Sequence, residues 1–312
     1  MNRRTPRLGI GLPVYNGEEF LERAIETLLG QTYTDFELVI CDNASTDRTG
    51  EICRRYASQD TRVRYHRSEK NVGAMGNFRR AFELSSGELF KWAAHDDEHE
   101  PEFLERCVAA LDADPTVVLV YTRFRAIDAH EATLTVRSAG IDTSSPQVSA
   151  RFRELVRRDY PCVACYGVVR RDVLGRTRLL ATYADSDRVL LAEIGLEGRI
   201  LELPEPLFVR REHPNRSVFQ YRSRQTRNAW FVPAKAGRPG FPYTKQFAGY
   251  LGAIARAPIS VAERARCASV MTRWIASNRD GLVEDVTFAA RFAMRPMKRL
   301  VQSASRSAGF IR

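Results

Sequence analysis

The sequence predicts an α/β fold built around a mainly parallel sheet, and three observations carry that expectation. From Arg7 to Tyr121, short apolar runs alternate with segments whose apolar residues recur at helical spacing. Four polar, small-residue loops, Pro13 to Asn16, Asp42 to Ser45, Asn71 to Asn77 and His95 to Asp97, follow the first four runs. Finally, Leu89-Phe90-Lys91-Trp92-Ala93-Ala94-His95-Asp96-Asp97-Glu98 is a buried-strand pattern that stops in adjacent carboxylates. Right-handed βαβ crossovers bring such loops to one edge of the sheet, where open α/β proteins bind ligands.

The elements follow in order. Arg7 to Leu12 reads as the first strand, and Asn16 as the N-cap of a helix, with Glu19 three residues on and Phe20, Leu21, Ala24, Ile25 and Leu28 on one face. Phe36 to Cys41 is the second strand, followed by a helix placing Ile52, Cys53 and Tyr56 together. Arg62 to His66 is a third strand, and Phe78, Ala81 and Phe82 mark the next helix. The acidic stretch ends the fourth strand, a helix runs from Pro101 to about Ala113, and Val117 to Tyr121 is a fifth strand.

The 312 residues suffice for one large domain with an appendage or for two domains, and an apolar share of 44% with 28% charged residues excludes general disorder. No apolar run approaches the ~18 residues of a spanning helix, and the segment after Met1 to Arg7 is too short for a secretory signal, so a cytoplasmic protein is expected. The cysteines at 41, 53, 107, 162, 165 and 267 lack zinc-ligand spacing and read as reduced thiols. The formal charge of +10 is uneven: from Glu205 onward there are 20 Lys and Arg against 6 Asp and Glu, before it 28 against 32. That basic excess suits an anionic membrane face or anionic substrates; no nucleic-acid module accompanies it. The first loop lacks G-x-G-x-x-G and no P-loop motif occurs, which argues against NAD and P-loop NTPase chemistry.

Adjacent carboxylates at a strand end call for a counter-charge, and a hard cation such as Mg²⁺ or Mn²⁺ supplies it while bridging to substrate phosphates. The alternative is a solvated acidic turn preceding the helix at Pro101.

Taken together, Leu12-Pro13-Val14-Tyr15-Asn16, Asp42-Asn43-Ala44-Ser45-Thr46-Asp47, Asn71-Val72-Gly73 and His95-Asp96-Asp97 resemble the family 2 glycosyltransferases of the GT-A fold. The resemblance is strong over about the first 125 residues and fainter to about 218. It implies a three-layer α/β sandwich in residues 1–218, a nucleotide-binding half to about 125 and an acceptor-binding half from 126, with residues 219–312 a basic, mostly helical extension. It further implies an inverting transfer of a sugar from a UDP-, dTDP- or GDP-linked donor to a glycan or lipid-linked hydroxyl.

Carried over residue by residue, Pro13, Tyr15 and Asn16 wall the base pocket, Asp42 accepts from the base imide with Ser45 nearby, and Asn71, Gly73 and Asn77 form a third nucleotide loop. His95 joins the nucleotide contacts, while Asp96 and Asp97 are the metal ligands, although Ala94 replaces the first acid of the usual Asp-x-Asp-Asp. Tyr183 to Glu193 resembles the Glu-Asp segment of the family, which puts Asp187 at the catalytic base and Asp185 as second choice. Leu203 to His213 resembles the closing strand, with Arg211 facing the diphosphate and His213 completing the metal shell. Tyr160 to Arg171 borders the acceptor region. Ala94 also motivates a second reading, a sugar-nucleotide-binding protein without turnover. Phe247 to Ile254 and Ala262 to Ile275 read as helices, and Phe288 to Arg295 with Met297 to Val301 form a basic amphipathic tail open to peripheral contact with an anionic membrane.

Overall fold

In the computed structural model the alternating N-terminal pattern folds into β1 (Leu8–Val14), α1 (Leu21–Leu29), β2 (Phe36–Asp42), α2 (Thr49–Gln59), β3 (Val63–Arg67), α3 (Ala74–Leu84) and β4 (Leu89–Trp92). β5 (Glu98–His99), α4 (Phe103–Ala113), β6 (Val117–Ile127), β7 (Thr133–Arg137), α5 (Val148–Leu155), a 3₁₀ turn at Cys162–Tyr166, β8 (Val168–Arg170), α6 (Arg171–Arg176), α7 (Ser186–Glu197) and β9 (Arg199–Arg211) follow. Beyond them come α8 (Ser217–Gln220), α9 (Arg224–Phe231), α10 (Pro242–Arg256), α11 (Val261–Ser277) and α12 (Arg279–Ala293). The structure describes residues 5–157, 160–221, 223–236, 238 and 240–293.

The strands form one sheet in the order β3-β2-β1-β4-β8-β6-β9-β5, with β7 on β6. β1 pairs in parallel with both β2 and β4, so Val14 lies opposite Asp42 and Gly11 opposite Trp92. The first four strands thus end at one edge, as the sequence pattern requires. Every residue of β1 and β2 is buried, which needs cover on both faces of the sheet.

One local expectation is corrected and one strand is added. Asn16 does not cap α1: its backbone is left-handed (φ 50°), its N–H donates to Ser45 Oγ and its Oδ1 accepts from Thr46 N, so the loop is longer and the helix starts at Leu21. Asparagine tolerates that conformation better than most residues. Three-residue β8, which the sequence pattern does not mark as a strand, lies between β4 and β6, antiparallel to both. A Val168-Val169 pair is too short to announce itself by periodicity.

One apolar core runs through the whole described chain. Tyr250, Cys267, Met271 and Trp274 of the C-terminal helices belong to the same buried cluster as Ile10 of β1 and Leu38 of β2. Phe152 of α5 meets the Tyr250 ring edge-on, and Trp274 stacks on Phe247. Among the described residues no helix is long and apolar enough to cross a membrane. The basic tail is described only to Ala293; Met297 to Val301 lie outside the described residues.

Gly11 sets how close α3 lies to the sheet, since a Cβ there would stand 2.9 Å from Ala81 Cβ and 3.0 Å from Phe90 Cζ. Gly11→Val should therefore destabilise the fold by about 1–3 kcal/mol through overpacking, read as a lowered urea midpoint with unchanged slope.

Candidate functional site

Hydrogen bonds join the first three loops, and the acidic loop packs against the first. The first meets the second through Asn16 N to Ser45 Oγ (3.0 Å) and Gly17 N to Thr49 Oγ1 (2.9 Å). The second meets the third where Asn43 Nδ2 donates to Asn71 Oδ1 (3.0 Å) and Val72 N to Asn43 Oδ1 (2.9 Å). Buried Asn77 turns its amide inward, donating to the Cys41 carbonyl (2.7 Å) and more distantly to that of Val14 (3.4 Å). The acidic loop lies against the first, and a Cβ on Gly17 would be 2.6 Å from His95 Cδ2.

Within this frame Pro13 is buried opposite Cys41 and Tyr15 stands 43% exposed at the rim. Asp42 is fully buried: Oδ1 accepts from Ser45 N, Oδ2 accepts from the Tyr65 hydroxyl, both at 2.8 Å, and Arg67 Nη1 lies 3.6 Å away. Gly73 holds φ 83°, and a Cβ there would sit 2.3 Å from the Phe231 carbonyl oxygen, so the C-terminal extension reaches this loop.

The acid pair is electrostatically split. His213 Nε2 lies 3.0 Å from Asp96 Oδ2, with the His213 ring against Phe20 at 4.7 Å. Burial alone would push the Asp96 carboxyl up, but the charges of His95, His213 and Arg216 and the His213 hydrogen bond hold it down at about 2. For Asp97 burial dominates, reinforced by the neighbouring Asp96 charge, and raises its carboxyl to about 8 despite the bond from Arg211 N.

These contacts correct two expectations. Arg211 does not face the site: it is buried, its guanidinium pairs with Glu98 and lies over the Phe20 ring, and Nη1 donates to the Asp128 carbonyl. The strand ends at Arg211, so the two-residue alternation that would align Arg211 with His213 no longer applies. Asp97 is not displayed as a second metal ligand, because it is buried with Oδ1 bonded to Arg211 N. Among the described residues no three His, Cys, Asp or Glu side chains gather to hold a metal by themselves. The donors that meet are Asp96 and His213, one oxygen and one nitrogen. That set suits a magnesium or manganese ion completed by diphosphate oxygens and water.

Asp187 stands in the first turn of α7, after Asp185, whose φ is 62°. Burial foremost, and then the Asp185 charge, raise the Asp187 carboxyl, while Arg188 N (2.9 Å) and the Cys162 thiol donate to it. The 3₁₀ turn from Cys162 to Tyr166 touches both sides: Cys165 Sγ lies 3.8 Å from the Asp187 carbonyl and Lys91 of β4 donates to the Tyr166 carbonyl, while burial foremost, then the charges of Asp97, Asp96, Cys165 and Asp187, hold the Tyr166 hydroxyl well above its usual range. Sequence reasoning missed two residues here. Arg216 bears on Asp96, and the basic letter three places after His213 was its signal; Lys91 was hidden in an apolar run. Lys91 is fully buried, donates to the Tyr166 carbonyl (2.6 Å) and lies over the Phe103 ring.

Comparison with known proteins places these features. A family model described as Glycosyl transferase family 2 matches residues 10–177. Chondroitin synthase of Escherichia coli is 36% identical over 126 residues, which are 40% of this chain and 18% of that protein, so the chain spans under a fifth of this relative. Among solved structures, S. aureus TarS 1–349 in complex with UDP-GlcNAc superposes with a TM-score of 0.64 at 15% identity, over 89% of this chain and 79% of that one. The mannosyltransferase PcManGT from Pyrobaculum calidifontis, in complex with GDP-Man and Mn²⁺, gives 0.56 at 18% identity, over 99% and 82%. These two share the fold.

Burial lowers the Lys91 ammonium to about 7, so the folded chain holds this proton less tightly than the unfolded one. The sign follows: stability linked to Lys91 is complete above the ordinary lysine value near 10.4, falls by up to about 1.4 kcal/mol per pH unit as pH drops, and levels off below about pH 7. Urea midpoints between pH 7 and 9 should rise more steeply for the native chain than for Lys91→Met.

Proposed function

Because the chain belongs to glycosyl transferase family 2, we propose that it is an inverting glycosyltransferase moving a sugar from a nucleoside diphosphate donor to a hydroxyl acceptor. The carrying observation is convergence: three strand-end loops are hydrogen-bonded together at one edge, the acidic loop packs against the first, and the 3₁₀ turn beside them touches both Lys91 of β4 and the Asp187 carbonyl.

In this reading Pro13, Tyr15 and Asn16 border the base, and Asp42, fixed by Ser45 N and Tyr65, offers its remaining lone pairs to the base imide. Asn71 and Gly73 shape the third loop, Asn77 fixes its position from below, and His95 closes the far wall. UDP-, dTDP- and GDP-sugars are the candidate donors; UDP-GlcNAc and GDP-Man in the structural relatives support that class. Asp96 and His213 would hold Mg²⁺ or Mn²⁺, supported by the Mn²⁺ complex of the archaeal relative. Such a cation supplies Lewis-acid stabilisation of the departing diphosphate. Arg216, rather than Arg211, adds positive charge beside Asp96.

Asp187 takes the proton of the acceptor hydroxyl as that oxygen attacks the anomeric carbon opposite the leaving diphosphate. Burial and the Asp185 charge raise its carboxyl and so strengthen it as a proton acceptor, and a positioned base of this kind contributes typically ~10²–10⁴-fold. The acceptor lies over the Tyr160 to Arg171 segment, glycan or lipid-linked. Peripheral contact of the basic tail with an anionic membrane belongs to the same proposal and rests on the sequence.

Asp187→Asn should cut transfer by about 10²–10⁴-fold with nucleotide affinity nearly unchanged; an intact rate in that variant, with loss in Asp185→Asn, moves the base to Asp185. Asp96→Ala should weaken donor binding in Mn²⁺ at least about tenfold by calorimetry, as expected when a charged contact is lost. Ala94, where the family motif carries its first acid, supports the second reading, a binding protein without turnover. Tight nucleotide binding with no release of nucleotide from any donor and acceptor pair would decide for it.

A further inference from the structure

A cavity of about 230 Å³ opens between α7 and α10 beside the proposed base, and its polar lining is Arg178, Tyr183, Ser186, Glu193 and Lys245. It is several times the ~30 Å³ share of one water, enough for a small hydrated ligand. The segment forming one wall is bracketed by two non-glycine residues with left-handed backbones, Leu179 (φ 57°) and Asp185 (φ 62°). Strain of this kind persists where surrounding structure enforces it, often around ligand sites. Gly249 of α10 leaves room for the Tyr183 hydroxyl, which would stand 2.7 Å from a Cβ there.

The charges in this cavity are unbalanced. Glu193, its one carboxylate, is already taken by the Arg256 guanidinium and by Arg178 N (3.0 Å). The Arg178 charge bears on Glu193 and the Lys245 charge on Asp285, but neither the guanidinium nor the ammonium makes a hydrogen bond or close ion pair among the described residues. Lys235, bonded to Thr182 Oγ1, adds a third cation nearby. Burial and then Lys235 push the Lys245 ammonium below its usual value, and Asp285 offsets this only in part. Two cations and a phenol hydroxyl around an open volume make a receptor for an oxyanion.

We propose that this cavity binds an anionic group, phosphate or carboxylate, carried by the acceptor, with Arg178 and Lys245 as its ligands. The acceptor role rests on the glycosyltransferase reading; the anion site does not. Ser186, which lines the cavity, precedes Asp187 in α7, and the Tyr183 hydroxyl sits in the fields of both Glu193 and Asp187. An acceptor anchored by its anion would therefore present a nearby hydroxyl to the base, and neutral acceptors would lose that anchor.

The experiment titrates inorganic phosphate into the full chain by calorimetry, with and without saturating UDP and Mn²⁺. Phosphate should bind in both conditions, about tenfold or more weaker in Lys245→Gln, while Lys245→Arg keeps most of the affinity. Equal affinity in Lys245→Gln, or displacement of phosphate by UDP, overturns the site. Glycerol 3-phosphate and glycerol, compared as acceptors, separate an acceptor-borne anion from a free one. A lower KM for the phosphate ester that disappears in Lys245→Gln supports the proposal, and no preference despite phosphate binding overturns the acceptor role. Phosphate binding through Lys245 in a chain that binds no nucleotide also removes the acceptor role, and marks the failure of the glycosyltransferase reading instead.

Discussion

Asn77 sits beneath the point where β1 and β2 stop, and its single amide group donates to carbonyls of both strand ends. Strand ends are awkward places to bury, because the ladder no longer satisfies their carbonyls. Here side-chain amides take over: Asn43, Asn71 and Asn16 bridge loop to loop by the same chemistry. A buried polar network of this kind is stable only when nearly all its members are paired, so it admits few arrangements. The edge of the sheet is thereby shaped before any ligand arrives.

The acid pair shows what such rigidity does to charge. Asp96 and Asp97 are neighbours in the chain and cannot both ionise cheaply in a buried setting. Both acids are desolvated and both feel Arg216, but Asp96 alone gains the His213 hydrogen bond and the His95 charge, while Asp97 receives only a backbone N–H and the repulsion of Asp96. One carboxylate is held low beside its histidine, and the other is pushed well above the ordinary carboxylate range.

The first four strands, the loops that follow them and the edge they share could be read from sequence, because apolar runs ending in polar bursts are a local signal. What could not be read depends on tertiary geometry. Whether Arg211 or Arg216 reaches the acids is decided by where β9 stops, and a motif match carries no information on that. Asn16 had every mark of a helix cap, yet its hydrogen-bond capacity is spent across to the second loop, a contact 30 residues away to Thr46. Lys91 and the insertion of β8 share a cause: an apolar run reveals burial but not neighbours.

The family match ends at residue 177, but the apolar interior does not. Tyr250 is packed on Phe152, Phe231 closes over Gly73, and Glu263 of α11 accepts from the backbone of Ser149. The helices after β9 are consequently not a detachable module. Cutting the chain after β9 would bare the apolar surfaces of Phe152 and Gly73 that these helices cover, so the first 211 residues alone would expose part of their own interior.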